Sequence, residues 1–154
     1  QMEFKWHFLI GFVVSYILVY FFNFPILSGI IIFLSSWIID SDHYLWYSFE
    51  MKNWNPLHAI KWYLTSIPTW FKLPSKEREK FKRGVFIFHG LLLWLILATL
   101  SFVHPIFIWI LIGVGIHMVA DLIDLYFRGE SLYNKIFPCY VMKRNKNKKG
   151  LREL

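Results

Sequence analysis

Two long apolar stretches dominate the pattern of residues along the chain. Residues 6–39 and residues 84–120 contain no Asp, Glu, Lys or Arg, and each is about as long as two bilayer crossings of roughly 17–20 residues. Each stretch is interrupted near its middle, at Asn23-Phe24-Pro25 and at His104-Pro105, where proline cannot continue a helix already under way. The pattern predicts two transmembrane hairpins, with helices at about 3–22, 25–47, 84–103 and 105–127.

The segment between the hairpins has a different character. Residues 50–83 contain three prolines and many of the charged residues, which favours an amphipathic, basic helical segment at the membrane surface. The fold class that we expect is therefore all-α, a polytopic protein with four transmembrane helices in one domain over residues 1–129. The basic residues 130–154 are predicted to form a cytoplasmic tail.

Composition and charge agree with a membrane protein. The chain is 56% hydrophobic and 21% aromatic, against roughly 45–50% apolar residues in soluble domains. All 17 Lys and Arg residues lie at Lys5, within 52–83 or within 128–152. The positive-inside rule then places both termini at the cytoplasmic side of a multi-pass protein of the cell membrane. The net charge of +7 borders the helices, so we expect membrane lipid, and no nucleic acid, as the partner.

Ionisable residues lie at the ends of the apolar stretches. Asp40-Ser41-Asp42-His43 follows the second predicted helix, and charged groups at that depth indicate a functional site. In the last predicted helix, His117 and Asp121 are four residues apart and Asp124 follows three residues later. That spacing places all three on one helix face.

A depth estimate brings these residues together. Counting about 1.5 Å per residue from the outward turns puts the polar residues of all four helices about 18–28 Å from those turns. They share one layer near the cytoplasmic face, whereas independent interfacial residues would lie at both ends of the helices. The residues in this layer are His7, Asp40, Asp42, His43, His89, His117, Asp121 and Asp124.

The donor types indicate a metal. Imidazole and carboxylate without thiolate suit zinc, manganese or iron, and the candidate ligands are numerous enough for one or two ions. A paired-metal centre would hydrolyse a phosphoester, with Asp40 or Asp124 as the catalytic general base. Arg78, Lys82 and Arg83 are candidate substrate-binding residues, and a solvated or headgroup-facing role is the alternative for them.

These residues together resemble a known family. Asp40-Ser41-Asp42-His43 after a membrane helix, an early His7, His89 at a later helix, and Gly113-x-x-x-His117-x-x-x-Asp121 are similar to the inner-membrane-associated, metal-dependent hydrolases. A more distant similarity is to zinc-dependent phospholipase C. The resemblance implies a hydrolase and metal-ligand roles for His7, Asp40, Asp42, His43, His89, His117 and Asp121.

The chain departs from that family in one segment. Where the family often has His-Arg-Gly-x-Thr-His-Ser, this chain has Lys82-Arg83-Gly84 followed later by His89. We therefore expect a membrane-embedded hydrolase with a divalent transition metal, most simply zinc, acting on a phosphoester of a lipid or lipid-linked substrate. A non-catalytic metal-binding scaffold is one alternative. The other is a magnesium-dependent lipid or prenyl phosphate transferase, which would use the aspartates and not the histidines.

Overall fold

Helices make up the described part of the chain. The computed structural model describes residues 4–150; residues 1–3 and 151–154, the ends of the predicted domain and tail, lie outside it. The helices within 4–150 are α1 (Phe4–Tyr20), α2 (Ile26–Ile38), α3 (Ser41–Met51), α4 (Pro56–Lys72), α5 (Ser75–Arg78), α6 (Leu91–Ser101), α7 (Ile106–Phe127), α8 (Tyr133–Ile136) and α9 (Pro138–Asn145). β structure in this range is an isolated bridge between Phe81 and Lys149. The all-α prediction is confirmed.

The central helix is α2, which packs against α1 and α7. Small residues let the backbones approach closely. A Cβ atom added at Gly11 of α1 would lie 2.0 Å from Ser36 Oγ, and one added at Gly113 of α7 would lie 2.4 Å from the Ile32 carbonyl oxygen. The adjacent apolar core, where α6 also meets α7, is formed by Ile39, Leu97, Val114 and Met118.

Two helical stretches are long and apolar enough to cross a membrane. They are Ile26–Met51, which comprises α2 and α3, and Ile106–Phe127, which is α7. The other two apolar helices, α1 and α6, are shorter. Of the four predicted spans, two therefore meet the length and composition criterion, and the other two stay a prediction.

The second predicted helix, 25–47, is divided at Asp40. α2 ends at Ile38 and α3 starts at Ser41, and between them the backbone turns through short-range hydrogen bonds such as the one from the Asp40 N–H to the Trp37 carbonyl oxygen, 3.1 Å. The interruption is short, because Ile39 and Asp40 keep right-handed helical backbone angles, and Ile26–Met51 still forms one stretch long enough to cross a membrane. Asp40 precedes α3 and lies 3.5 Å from His117 of α7, while Asp42 and His43 lie in the first turn of α3.

The third predicted helix, 84–103, begins only at Leu91. Before it, the Phe88 N–H donates to Asp42 Oδ2 over 3.1 Å, so this backbone group bonds across the fold. Residues 84–90 are an irregular segment for that reason, and His89 precedes α6 instead of lying within it. The start at residue 84 was wrong because a tertiary polar contact replaces helical hydrogen bonds.

The segment between the hairpins is mainly α4, and Asn55 caps its start. Asn55 Oδ1 accepts hydrogen bonds from the N–H groups of Leu57 and His58, a favoured arrangement at a helix N-terminus. Pro56 occupies the first turn, where its missing N–H is no loss. α4 ends at Lys72, just before Leu73 and Pro74, as the restriction on residues preceding proline favours.

The predicted tail folds back onto the chain. Asn145 of α9 forms two hydrogen bonds with the Arg83 backbone, at 3.0 and 2.8 Å, and the Lys82 N–H donates to the Lys149 carbonyl oxygen over 2.8 Å. Val141 and Lys135 are buried. Residues 130–150 are therefore packed against the fold and not a solvated tail, because these two residues are buried and α9 supplies hydrogen-bond partners to the irregular segment.

Candidate metal centre

A buried group of histidines and aspartates lies where α1, α2, α3 and α7 meet the segment before α6. Four of its members, His7, His89, His117 and Asp121, are at most 2% exposed. Asp40 is the most accessible member, with 13% of its side chain exposed. The structure thus brings together seven residues that the sequence predicts as metal ligands: His7, Asp40, Asp42, His43, His89, His117 and Asp121.

His117 is held by a backbone carbonyl. Its Nδ1 lies 2.8 Å from the Ser36 carbonyl oxygen in α2, and because a carbonyl oxygen only accepts, Nδ1 must carry the proton. The other ring nitrogen, Nε2, then has a free lone pair when the ring is neutral. This lone pair points into the group, 3.3 Å from Asp121 Oδ2 on the next turn of α7.

His89 is held by a carboxylate. Its Nδ1 lies 2.9 Å from Asp42 Oδ2, which also accepts the N–H of Phe88. The carboxylate accepts both hydrogen bonds, so the proton of His89 is on Nδ1 and its Nε2 also presents a lone pair. Metal-bound histidines commonly donate their second N–H to a carboxylate or a carbonyl oxygen in this way.

The two lone pairs face each other. His89 Nε2 and His117 Nε2 are 2.9 Å apart. Two unprotonated nitrogens at that distance repel unless a cation or a proton lies between them. Two donor atoms bound to one ion at about 2.0–2.1 Å lie about 2.9 Å apart at a right angle and about 3.4 Å apart at the tetrahedral angle. The observed distance is therefore compatible with a shared ion, and equally with a proton shared as an N–H···N hydrogen bond.

Two carboxylate oxygens lie near the same pair of nitrogens. Asp121 Oδ2 lies 3.3 Å from His117 Nε2 and 3.6 Å from His89 Nε2, and these three donor atoms form one set that could hold an ion. Asp40 Oδ1 lies 3.5 and 3.7 Å from the same two nitrogens and belongs to the two neighbouring sets. We call the side chains of His89, His117, Asp121 and Asp40 the cage. Their nitrogen and oxygen donors suit a divalent ion of the zinc, manganese or iron type.

His7 and His43 flank the cage. His7 Nε2 lies 3.1 Å from Asp121 Oδ1, and its ring stacks on that of His117 at 3.9 Å. His43 Nδ1 lies 2.9 Å from Asp42 Oδ1 and 3.2 Å from Asp40 Oδ1. Both belong to sets of three donor atoms within 4.8 Å of one another that could hold an ion. The described residues of these sets are His7 with Asp40 and His117, Asp40 with His43 and His89, and His89 with His117 and Asp121.

Lys135 is a member of the group that the sequence prediction missed. Its ammonium nitrogen lies 2.6 Å from Asp121 Oδ2, and only 5% of the residue is exposed. The residue lies in α8, within the segment predicted as a tail. A single lysine carries no periodic signal, so a solvated position in the predicted tail was the natural expectation.

Four other predicted site residues are paired with side chains of their own neighbourhood. Asp124 Oδ2 lies 2.8 Å from Arg128 Nε. Arg78 and Arg83 both bind Glu130, and Arg83 contacts its carboxylate at 2.8 Å. Lys82 lies 3.5 Å from Glu50. The catalytic role of Asp124 and the substrate-binding roles of Arg78, Lys82 and Arg83 stay predictions.

A cavity of about 170 Å³ lies next to the group. The Phe86 ring separates the two, since it lines the cavity and stacks on His43 at 3.9 Å. Tyr63 also lines it and donates a hydrogen bond to the His43 carbonyl oxygen over 2.8 Å. Burial raises the pKa of Tyr63, and the nearby carboxylates of Asp42 and Asp40 raise it further, so the phenol keeps the proton that it donates.

The chain was compared with protein-family models, with curated proteins and with solved structures, and none of them matches it.

Proposed function

We propose that this chain is a membrane-embedded, metal-dependent hydrolase that cleaves a phosphoester of a lipid or lipid-linked substrate at the cytoplasmic face. The observation that carries the proposal is the pair of lone-pair nitrogens on His89 and His117, 2.9 Å apart, with carboxylate oxygens of Asp40 and Asp121 around them. In this proposal four helices cross the membrane, and both termini are cytoplasmic.

The ion would be held by His89, His117, Asp121 and Asp40. Asp42 would orient His89 through its Nδ1, and the Ser36 carbonyl oxygen would orient His117. His7 and His43 lie close enough to take part if a second ion binds. Zinc suits a cage of two nitrogens and two oxygens at these spacings, and manganese or iron are the alternatives.

Hydrolysis follows from what surrounds the cage. The chemistry that a divalent ion supplies in such a site is polarisation of a phosphoryl oxygen and activation of a water molecule. Asp40 is the most exposed carboxylate of the group, and so it is the one that can leave the cage and accept a proton from an incoming water. Asp121 is fully buried and paired with Lys135, which suits a fixed ligand.

A lipid-like substrate is supported by the surroundings of the site. Large apolar side chains are exposed on the outer faces of the apolar helices, for example Phe12, Ile30 and Leu92, and such surfaces suit contact with acyl chains. The cavity beside the group is lined largely by aromatic rings. An amphiphile could therefore reach the site from the membrane with its phosphate at the cage.

Metal content tests the proposal first. Elemental mass spectrometry on detergent-purified protein should find a transition metal in the wild type and in His58→Ala, whose histidine is exposed and bonded to Asn53. The metal should be lost from His117→Ala and reduced in Asp42→Ala. Wild-type protein that carries no transition metal, and gains none on reconstitution with zinc, manganese or iron, would refute the proposal.

A second candidate is a non-catalytic metal-binding scaffold. The observation that favours it is that four protein donors would fill a tetrahedral site and leave no open position. If Asp40 can leave the metal and open a coordination position, metal-loaded wild-type protein should hydrolyse an aryl phosphodiester. Asp40→Asn should then abolish that turnover while keeping the metal. A stoichiometric metal without any phosphoester hydrolysis would favour the scaffold.

A further inference from the structure

The charges of the buried group do not balance on their own. Asp40, Asp42 and Asp121 bring three negative charges, and Lys135 brings one positive charge. Buried charges must be paired to be tolerated. With the histidines neutral, as binding of an ion requires, the remaining two negative charges equal the charge of one divalent ion, whereas two such ions would leave an excess of positive charge. The group is therefore electrically complete with one ion and the Lys135 ammonium.

Lys135 also connects the group to the cavity. Its ammonium nitrogen contacts Asp121 Oδ2 at 2.6 Å and lies 5.1 Å from the centre of the Phe86 ring. Lys135 and Phe86 both line the cavity. A ligand in the cavity would thus meet a buried positive charge at the end that faces the metal cage.

The other cations at the cavity already have carboxylate partners, and Arg83 shares Glu130 with Arg78. Arg83 contacts Glu130 at 2.8 Å, and Lys82 lies 3.5 Å from Glu50. Lys135 is paired with Asp121, a carboxylate whose charge an ion in the cage would take up. Lys135 is consequently the cation that metal binding would make available to an anion.

The cavity walls suit a hydrocarbon chain. Rings on α3 and α4 and in the segment before α6 form much of the lining: Trp46, Trp62, Trp70, Phe71 and Phe86. Such walls bury apolar surface without offering it polar partners. A ligand complementary to this site has an anionic head at Lys135 and a single apolar chain among the rings.

We propose that Lys135 acts as a second cation beside a single divalent ion, and that it binds the phosphate of an amphiphile whose chain occupies the aromatic cavity. This inference rests on the proposed function, because the ion releases Lys135 from Asp121. It assigns the centre one ion and gives the phosphate-binding role to Lys135, whereas the sequence suggested Arg78, Lys82 and Arg83.

Two measurements test the inference on the full chain in detergent. The first is the number of metal ions per chain, by elemental mass spectrometry. The second is titration calorimetry of the metal-loaded protein with hexyl phosphate, inorganic phosphate and hexanol. The variants are Lys135→Met, which removes the charge and keeps a similar stem, and Lys135→Arg, which keeps the charge. Lys61→Met is the matched control, since it removes an exposed lysine of α4 that does not line the cavity.

One ion per wild-type chain is expected, and hexyl phosphate should bind more tightly than inorganic phosphate or hexanol. Lys135→Met should keep at least one ion and lose about 10- to 100-fold in hexyl phosphate affinity, the range for a buried charge-assisted hydrogen bond. Lys135→Arg should keep most of the affinity, and Lys61→Met all of it.

Each contrary result has a separate meaning. Two ions per wild-type chain, or equal affinity of wild type and Lys135→Met for hexyl phosphate, would overturn this inference and leave the metal centre standing. If inorganic phosphate bound to the wild type as tightly as hexyl phosphate, the cavity would not hold the hydrocarbon chain and the inference would be overturned. This comparison uses only the wild type, so it does not depend on a variant that folds. A chain that binds no metal would overturn the proposed function and this inference together.

Discussion

Gly113 offers a sharp test of how helix packing builds the metal centre. It lies in α7 one turn before His117, and it contacts α2 beside Ser36, whose carbonyl oxygen holds the His117 ring. A methyl group at residue 113 would meet the Ile32 carbonyl oxygen at 2.4 Å. The backbone cannot rotate away as a side chain can, so α2 and α7 would have to separate by roughly 1 Å to restore ordinary contact.

Gly113→Ala should therefore weaken both the fold and the site. Overpacking of this kind costs about 1–3 kcal/mol, and each kcal/mol lowers Tm by about 2–4 °C in a chain of this size. The separation also moves His117 away from the Ser36 carbonyl oxygen that orients its ring. Loss of such an orienting hydrogen bond lowers metal affinity by about 10- to 100-fold. Thermal unfolding in detergent and titration with a competing chelator measure the two effects.

Gly115→Ala is the matched control for that experiment. It lies two residues further along the same helix, and its added methyl group would meet only the Trp94 ring, at 3.6 Å, which is ordinary contact. Alanine favours a helix over glycine by about 0.5–1 kcal/mol, so this variant should keep its metal and unfold at the wild-type temperature or above. If Gly113→Ala had the same Tm and the same metal affinity as Gly115→Ala, the close-packing argument would be refuted.

Three further outcomes follow from the contacts around the group. Asp42→Asn should lower metal affinity about 10- to 100-fold, because it weakens the carboxylate that orients His89; chelator competition measures it, and an unchanged affinity would contradict that role. Tyr63→Phe should lower the free energy of unfolding by about 0.5–1.5 kcal/mol through loss of the hydrogen bond to His43, with metal content unchanged; a loss of metal would give Tyr63 a larger part. Chelator treatment of the wild type should lower Tm, since an ion at 100 times its Kd stabilises the folded state by about 2.7 kcal/mol, and zinc should restore it.

The sequence was informative where the chemistry follows helix geometry. His117 and Asp121 share a face by their spacing alone, and they lie 3.3 Å apart in the structure. The depth estimate correctly grouped residues of different helices, because helices that start from the same level rise by the same distance per residue. It also included Asp124, which pairs with Arg128 instead. Asp124 shares the helix face of His117 but lies about 10 Å further along the axis, beyond the reach of the other donors.

The sequence was silent where tertiary contacts decide the outcome. The Phe88 N–H donates a hydrogen bond to Asp42. No local sequence pattern predicts that a backbone N–H will bond to a distant carboxylate instead of to a helical carbonyl oxygen. Lys135 enters the group only because α8 and α9 fold back onto residues 82 and 83. Its neighbours Tyr133, Ile136 and Phe137 are apolar, but they do not identify the distant carboxylate that pairs with a buried lysine.

The pairing of His7 with Asp121, 3.1 Å apart, has a consequence for how the protein is made. His7 is in the first helix and Asp121 in the last long one, so ribosomal synthesis at about 5–20 residues per second separates them by on the order of ten seconds. During that interval His7 belongs to a growing chain that does not yet contain Asp121. The complete set of donors exists only once α7 has been synthesised, so the ion of the proposed function would be loaded late in biogenesis.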